Sequence, residues 1–216
     1  MSMNSTISYY NSHASEYIAD TIDVDFHGTQ DHFLSLLPHC AKILDFGCGS
    51  GRDIKYFRSH GFRADGIDAS DEMCYQASCY TETNVRKMLF TDLVDIQSWD
   101  GIWACASLLH LSDQELSIVL YRISQALVDG GILYASFRFG EKQEVREGRF
   151  YNDMTERKFR RAMRAVRDLT LEESWVSADV KPGLEGDKWL NLILRKHSRS
   201  EQNPLLTAAY LEAQPV

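Results

Sequence analysis

Short apolar runs alternate along the chain with longer stretches in which apolar residues recur every three or four positions. That alternation is the signature of an α/β fold with a mostly parallel sheet. Runs at 42–46, 62–67, 85–89, 101–105 and 132–137 are predicted strands, and a predicted helix follows each of the first four. The clearest helix covers 112–128. Ser112 and Glu115 have capping-box spacing, and Leu116, Val119, Leu120, Ile123 and Leu127 then repeat on one face. Asp129, Gly130 and Gly131 are expected to stop it and turn into the next strand. Beyond 137 the pattern changes. Residues 138–154 are polar and irregular, and a helix follows from Thr155 to about Asp168 with Phe159, Ala162, Met163 and Val166 inward. Two closing runs, 170–177 and 188–195, are too close in sequence for a crossover helix, so they should pair antiparallel. Residues 8–20 and 29–37 read as helices, the first with Tyr9, Tyr10, His13 and Tyr17 clustered. The expectation is an α/β seven-stranded sheet, mostly parallel with an antiparallel last strand and helices on both faces. It forms one domain over 1–198, with a helical cap at 1–38, a sheet core at 39–198 and a tail at 199–216.

Composition narrows the class. A chain of 216 residues, 44% hydrophobic and 25% charged, can bury a core without disulfides or metals. No apolar run nears the roughly 18 residues of a membrane span. The N-terminal stretch has no basic segment leading into an apolar core, so no secretory signal is expected. Five cysteines, without a CxxC pair, point to reduced thiols in a cytoplasmic protein and away from zinc. The net charge of −8 argues against general nucleic-acid binding. The oligomeric state stays open.

The most informative segment runs Ile43-Leu44-Asp45-Phe46-Gly47-Cys48-Gly49-Ser50-Gly51-Arg52-Asp53. A strand enters three alternating glycines and leaves into a helix. Such a turn lets a ligand approach the backbone, and the helix start offers free N–H groups. Asp68 ends the second strand candidate, where a carboxylate can accept from both hydroxyls of a ribose. Dinucleotide enzymes place the third glycine five positions after the first; here it is four, with Asp45 two residues before. That arrangement resembles motif I of the class I S-adenosylmethionine-dependent methyltransferases. The resemblance extends over about 7–196 and is nearest to small bacterial members related to tellurite-resistance and ubiquinone/menaquinone methyltransferases.

The resemblance implies a Rossmann-like fold, S-adenosyl-L-methionine as cofactor, and site roles residue by residue. Gly47, Cys48, Gly49 and Gly51 match the turn against the methionyl end, which Asp45 organises. Asp68 and Ala69 match the ribose end, Met73 an apolar wall of the adenine, and Asp92 an acid near the adenine amino group. Ala106 matches a backbone contact to the methionyl amine, and Tyr17 lies on the helix that caps the cofactor in the family. Met73 also reads as a core residue, and Asp92 as a loop carboxylate or cap. His110 and Tyr10 are the catalytic candidates, His110 as a base or as a satisfied loop histidine. Arg138 and Tyr151 are candidate acceptor contacts. The N-terminal helix and the 138–154 loop are expected to cover the mouth of the site.

One charge feature stands apart. Residues 138–167 are +5 in a chain that is otherwise −13. This reads either as a solvated helix face or as a rim for an anionic acceptor or a nucleic-acid phosphate. The leading function is methyl transfer to a small molecule. The alternatives are a methyltransferase for RNA or another macromolecule, which is not favoured, and a cofactor-binding module without catalysis. A nicotinamide oxidoreductase is disfavoured by the glycine spacing.

Overall fold

Consecutive residues of a strand face opposite sides of its sheet, and here both sides are covered. The structure, a computed structural model, describes residues 3–181 and 186–198. The expected tail at 199–216 lies outside them. Strand β1 (Lys42–Phe46) turns Ile43 toward one layer of apolar side chains and Leu44 and Phe46 toward another. The first layer comes from α2 (His27–Ser35), α3 (Arg52–Ser59) and α4 (Asp71–Thr81), through Phe33, Ile54, Phe57 and Ala77. The second comes from α5 (Asp113–Ala126) and α6 (Glu156–Ala162), through Leu116, Val119, Leu120, Ile123 and Phe159.

The remaining strands are β2 (Arg63–Asp68), β3 (Arg86–Lys87), β4 (Trp99–Ala104), β5 (Leu127–Arg138), β8 (Leu169–Ala178) and β9 (Lys188–Lys196). The sheet order is β3-β2-β1-β4-β5-β9-β8. The first five strands are mutually parallel, and β9 inserts antiparallel to both β5 and β8. The expected seven-stranded sheet with an antiparallel last strand is therefore present. All five parallel strands deliver their C-terminal ends to one edge, where open α/β sheets bind ligands.

Five expectations need correction. The 112–128 helix ends at Ala126, because Leu127 already pairs with Trp99 on β4. Gly130, at φ 81°, therefore bends a strand and does not stop a helix. The edge strand β3 keeps only two paired residues, since it has a neighbour on one side alone. The helix begun at Thr155 tightens after Ala162 and ends near Val166, short of Asp168. The 138–154 loop is not irregular. Strands β6 (Gln143–Arg146) and β7 (Arg149–Asn152) form an antiparallel hairpin with Gly148 in the left-handed region at its tip. The hairpin is polar on most positions, so its alternation is masked in the sequence. Helix α1 (Met3–Thr21) starts earlier than expected and kinks at His13.

The capping box on α5 forms as its spacing requires. Glu115 N donates to Ser112 Oγ at 3.3 Å, and Ser112 N donates to Glu115 Oε2 at 2.9 Å. Ser112→Ala is expected to cost about 1 kcal/mol of stability. The check is a lower urea midpoint at an unchanged m-value.

Candidate active site

The turn after β1 is shaped by what surrounds it. Gly47 sits at φ 89°, and a Cβ there would meet the Ser107 Cβ at 2.5 Å and the Phe90 ring at 2.9 Å. Gly49, at φ 51°, has an open face; a Cβ would meet only the Tyr17 ring, at 3.5 Å. Gly51 has a different task. It precedes α3, and a Cβ would lie 2.7 Å from Thr81 of α4, so it permits helix packing and does not line the site. Packing against α4 is thus a second reason for glycine at Gly51 beside the expected cofactor role.

Two adjoining cavities open over this turn. The smaller is walled by Asp68, Ala69, Ser70, Met73, Phe90 and Ser107. The larger is walled by Cys48, Arg52, Arg138, Arg149, Tyr151 and Trp189, among others. Tyr10, Tyr17, Gly47, Gly49, Ala106 and His110 wall both. The structure thus brings together most of the expected site residues, Arg138 and Tyr151 included. Three stand outside the walls: Gly51, Asp45 and Asp92. Asp45 lies under the turn, 2% exposed, with Oδ2 unpartnered. Burial, together with nearby Asp53, pushes its carboxyl well above the usual range. Asp92 is exposed. It closes the tight helical turn Phe90–Asp92, which advances about 120° per residue. Phe90 therefore takes the cavity wall and Asp92 does not.

Sequence reasoning missed Phe90, Arg149 and Trp189 as wall residues, and it placed Ser107 only as a neighbour of Ala106 after the fourth strand. Arg149 had a signal, its place in the basic stretch, but nothing in the sequence separated it from surface arginines. Structure divides that stretch. Arg138 and Arg149 turn to the cavity, whereas Arg157 and Arg160 on the α6 side pair with Glu141 and Glu156.

The local chemistry is mostly neutral. His110 Nδ1 lies 2.6 Å from the Phe150 carbonyl, which can only accept. The proton is therefore on Nδ1, and Nε2 accepts from the Tyr10 hydroxyl at 2.9 Å. Burial lowers the His110 pKa to about 4. Burial likewise raises the hydroxyls of Tyr10 and Tyr17 and takes the Cys105 thiol up to about 12. Asp53 is charge-matched. It accepts from Arg52 Nε (2.9 Å) and Nη2 (3.0 Å), from Gln30 Nε2 (2.6 Å) and from Trp103 Nε1 (2.9 Å).

Comparison with known proteins decides what the turn belongs to. Residues 43–131 match the family model described as a methyltransferase domain. Solved structures agree in fold. Burkholderia thailandensis 1,6-didemethyltoxoflavin-N1-methyltransferase, solved with its acceptor and S-adenosylhomocysteine, is similar at 20% identity and TM-score 0.74, over 90% of this chain and 88% of that one. A TehB-like S-adenosylmethionine-dependent methyltransferase from Corynebacterium glutamicum shares 22% identity at TM-score 0.66, over 86% and 98%. A putative methyltransferase of Haloferax volcanii, in complex with the Trm112 activator, shares 20% at TM-score 0.70, over 88% and 98%. No curated protein matches by sequence.

The cavity residues fit S-adenosylmethionine, the cofactor expected from the glycine turn and Asp68. Asp68 Oδ2 accepts from Gly49 N at 3.1 Å and Oδ1 from Ser70 N at 2.9 Å, which leaves a lone pair on each oxygen for the ribose hydroxyls. Burial raises the Asp68 carboxyl and these N–H groups oppose it. Ser107 Oγ is buried without a partner, and Ser107, Met73 and Phe90 line the same cavity. Among the described residues no cluster of His, Cys, Asp or Glu could hold a metal ion, and no helix is long and apolar enough to cross a membrane.

Three outcomes are expected. Gly49→Ala should fold, with the left-handed backbone costing an alanine about 1–2 kcal/mol, yet lose S-adenosylhomocysteine affinity in calorimetry. Gly47→Ala should lose stability itself, because its Cβ collides with two side chains. His110 should stay neutral down to about pH 4 in a histidine-resolved NMR titration. Its folded pKa lies below the ordinary value, so between about 6.5 and 4 the unfolded chain binds the extra proton. The corresponding stability is full above about pH 6.5 and is lost as pH falls toward 4.

Proposed function

We propose that the chain transfers the methyl group of S-adenosylmethionine to a small molecule held in the larger cavity. The adjoining cavities carry this reading. The nucleoside end fits against Asp68, Met73 and Phe90, and a second compartment continues past Tyr10, Gly49 and His110. The second compartment is roofed by α1, by the β6–β7 hairpin and by the end of β8. That enclosure favours a compact acceptor over a polynucleotide, and the pairing of Arg157 and Arg160 weakens the RNA alternative. The acceptor of the Burkholderia enzyme is also a small molecule.

Bound S-adenosylmethionine supplies a methyl group already activated on a sulfonium. The residues then have to hold a nucleophile in line, and proximity alone can contribute about 7–11 kcal/mol. Tyr10 and His110 stand between the compartments and hold each other. With Nδ1 tied to Phe150 and Nε2 to Tyr10, His110 has no free lone pair for an acceptor. Cys48 and Cys105 are held as thiols by burial. The pair therefore positions the compartment wall, and the acceptor brings its own available lone pair.

The test is S-adenosylhomocysteine release over a panel of small acceptors and RNA, with Tyr10→Phe beside the wild type. Small-molecule turnover without RNA turnover is expected. Tyr10→Phe should reduce kcat by less than about tenfold, because a base relay would be worth about 10²–10⁴. A loss in that larger range would restore His110 as a base.

A further inference from the structure

Resting on the acceptor reading above, the charges of the larger compartment point to one class of acceptor. Its walls hold four cations, Arg52, Arg138, Arg149 and Lys181, and two acids, Asp53 and Asp179. The acids are occupied. Asp53 is saturated by Arg52, Gln30 and Trp103, and Asp179 accepts from Trp189 Nε1 and from the Lys181 backbone.

The cations are less completely matched. Arg149 is 15% exposed, and its Nε is buried with no hydrogen-bond partner. Its one acidic contact, from Nη2 to Glu147 at 2.9 Å, reaches a side chain that is 77% exposed, where an ion pair contributes little. The guanidinium lies over three rings, with centroids at 4.3 Å for Tyr9, 5.5 Å for Tyr151 and 6.0 Å for Tyr10. Those rings fix its place, and the Tyr10 hydroxyl also accepts a hydrogen bond from it, which still leaves Nε and further N–H donors of the guanidinium unspent. Arg138 donates from Nη1 to Asp187 at 2.7 Å and stacks on Trp189 at 5.6 Å. That leaves other donors of its five-proton fork unspent. Tyr151 lines the same compartment as both. Burial raises its hydroxyl, while Arg149, Arg138 and Arg146 all pull the other way. Arg146 is not available, since it bridges Glu144 and Asp153. Phe26, Tyr10 and Trp189 give the rest of the wall flat apolar faces.

We propose that the methyl acceptor is an aromatic compound carrying a carboxylate or phosphate, with that anionic group docked by Arg149 and Arg138 beside the Tyr151 hydroxyl. The unspent donors of two guanidinium groups supply charge-assisted hydrogen bonds, and the rings hold the body of the acceptor. Arg149 comes from the hairpin and Arg138 from the end of β5, so an anion between them also ties the roof to the sheet.

Calorimetry on the full chain saturated with S-adenosylhomocysteine tests this with benzoate, phenyl phosphate and benzyl alcohol as probes. At least one anion is expected to bind about tenfold or more tightly than the alcohol. Arg149→Met and Arg138→Met should each erase most of that preference, and Arg149→Lys should keep part of it. The preference is a ratio within one protein, so a variant with a loosened roof still reports. Equal binding of benzoate and benzyl alcohol, no binding of either anion, or an unchanged preference in both Met variants would overturn the proposal. If S-adenosylhomocysteine binds and only the preference is missing, the anionic acceptor falls and the methyltransferase reading stands. If S-adenosylhomocysteine itself does not bind the wild type, both fall.

Discussion

The buried Asp53 carboxylate is the fixed point of the site. It lies in the first turn of α3, where the helix dipole favours a negative charge, and four donors from three other side chains and two elements close around it. A charge taken out of water is tolerable only when it is fully partnered. Here the partnering does structural work at a distance. Gln30 binds α2 to α3, and Trp103 binds β4 to α3. Arg52, held flat against Asp53, reaches on to the Thr21 carbonyl at 3.3 Å and anchors the end of α1. The glycine turn just before α3 is thereby pinned to the sheet on one side and to the cap on the other.

The cap is held at its other end by a second set of contacts. Thr6 Oγ1 accepts from Phe150 N, and Tyr9 lies under Arg149. His110 joins Tyr10 to the Phe150 carbonyl, so three segments distant in sequence meet at one imidazole. Neutral imidazole is the only form that both accepts from Tyr10 and donates to Phe150. The low His110 pKa and the integrity of the roof are consequences of the same burial.

Three of the six side-chain polar atoms buried without partners among the described residues lie at the site. Ser107 Oγ, Asp45 Oδ2 and Arg149 Nε are buried without protein partners beneath or beside the two compartments. An unpaired buried polar atom costs about 1–3 kcal/mol. The rest of the fold sustains that cost through a core whose two layers are closed on both faces of the sheet.

The sequence by itself determined what depends on short-range pattern. Strand β1, the glycine turn, Asp68 and the Ser112–Glu115 cap were legible, because their φ values, capping chemistry and apolar period are local properties. So was the antiparallel β9, because the connection to it is too short to cross over. Only the tertiary structure decided the rest. Gly51 reads as a third cofactor glycine, and its packing role shows only when Thr81 of α4 is seen 2.7 Å from where its Cβ would be. Asp92 reads as a site acid until the turn it closes gives the wall to Phe90. Arg149 is one of ten basic residues in its stretch, and becomes distinct only when the hairpin folds it beneath Tyr9 and against Tyr151. In each case the deciding neighbour lies on another element, and sequence spacing carries no information about which elements meet.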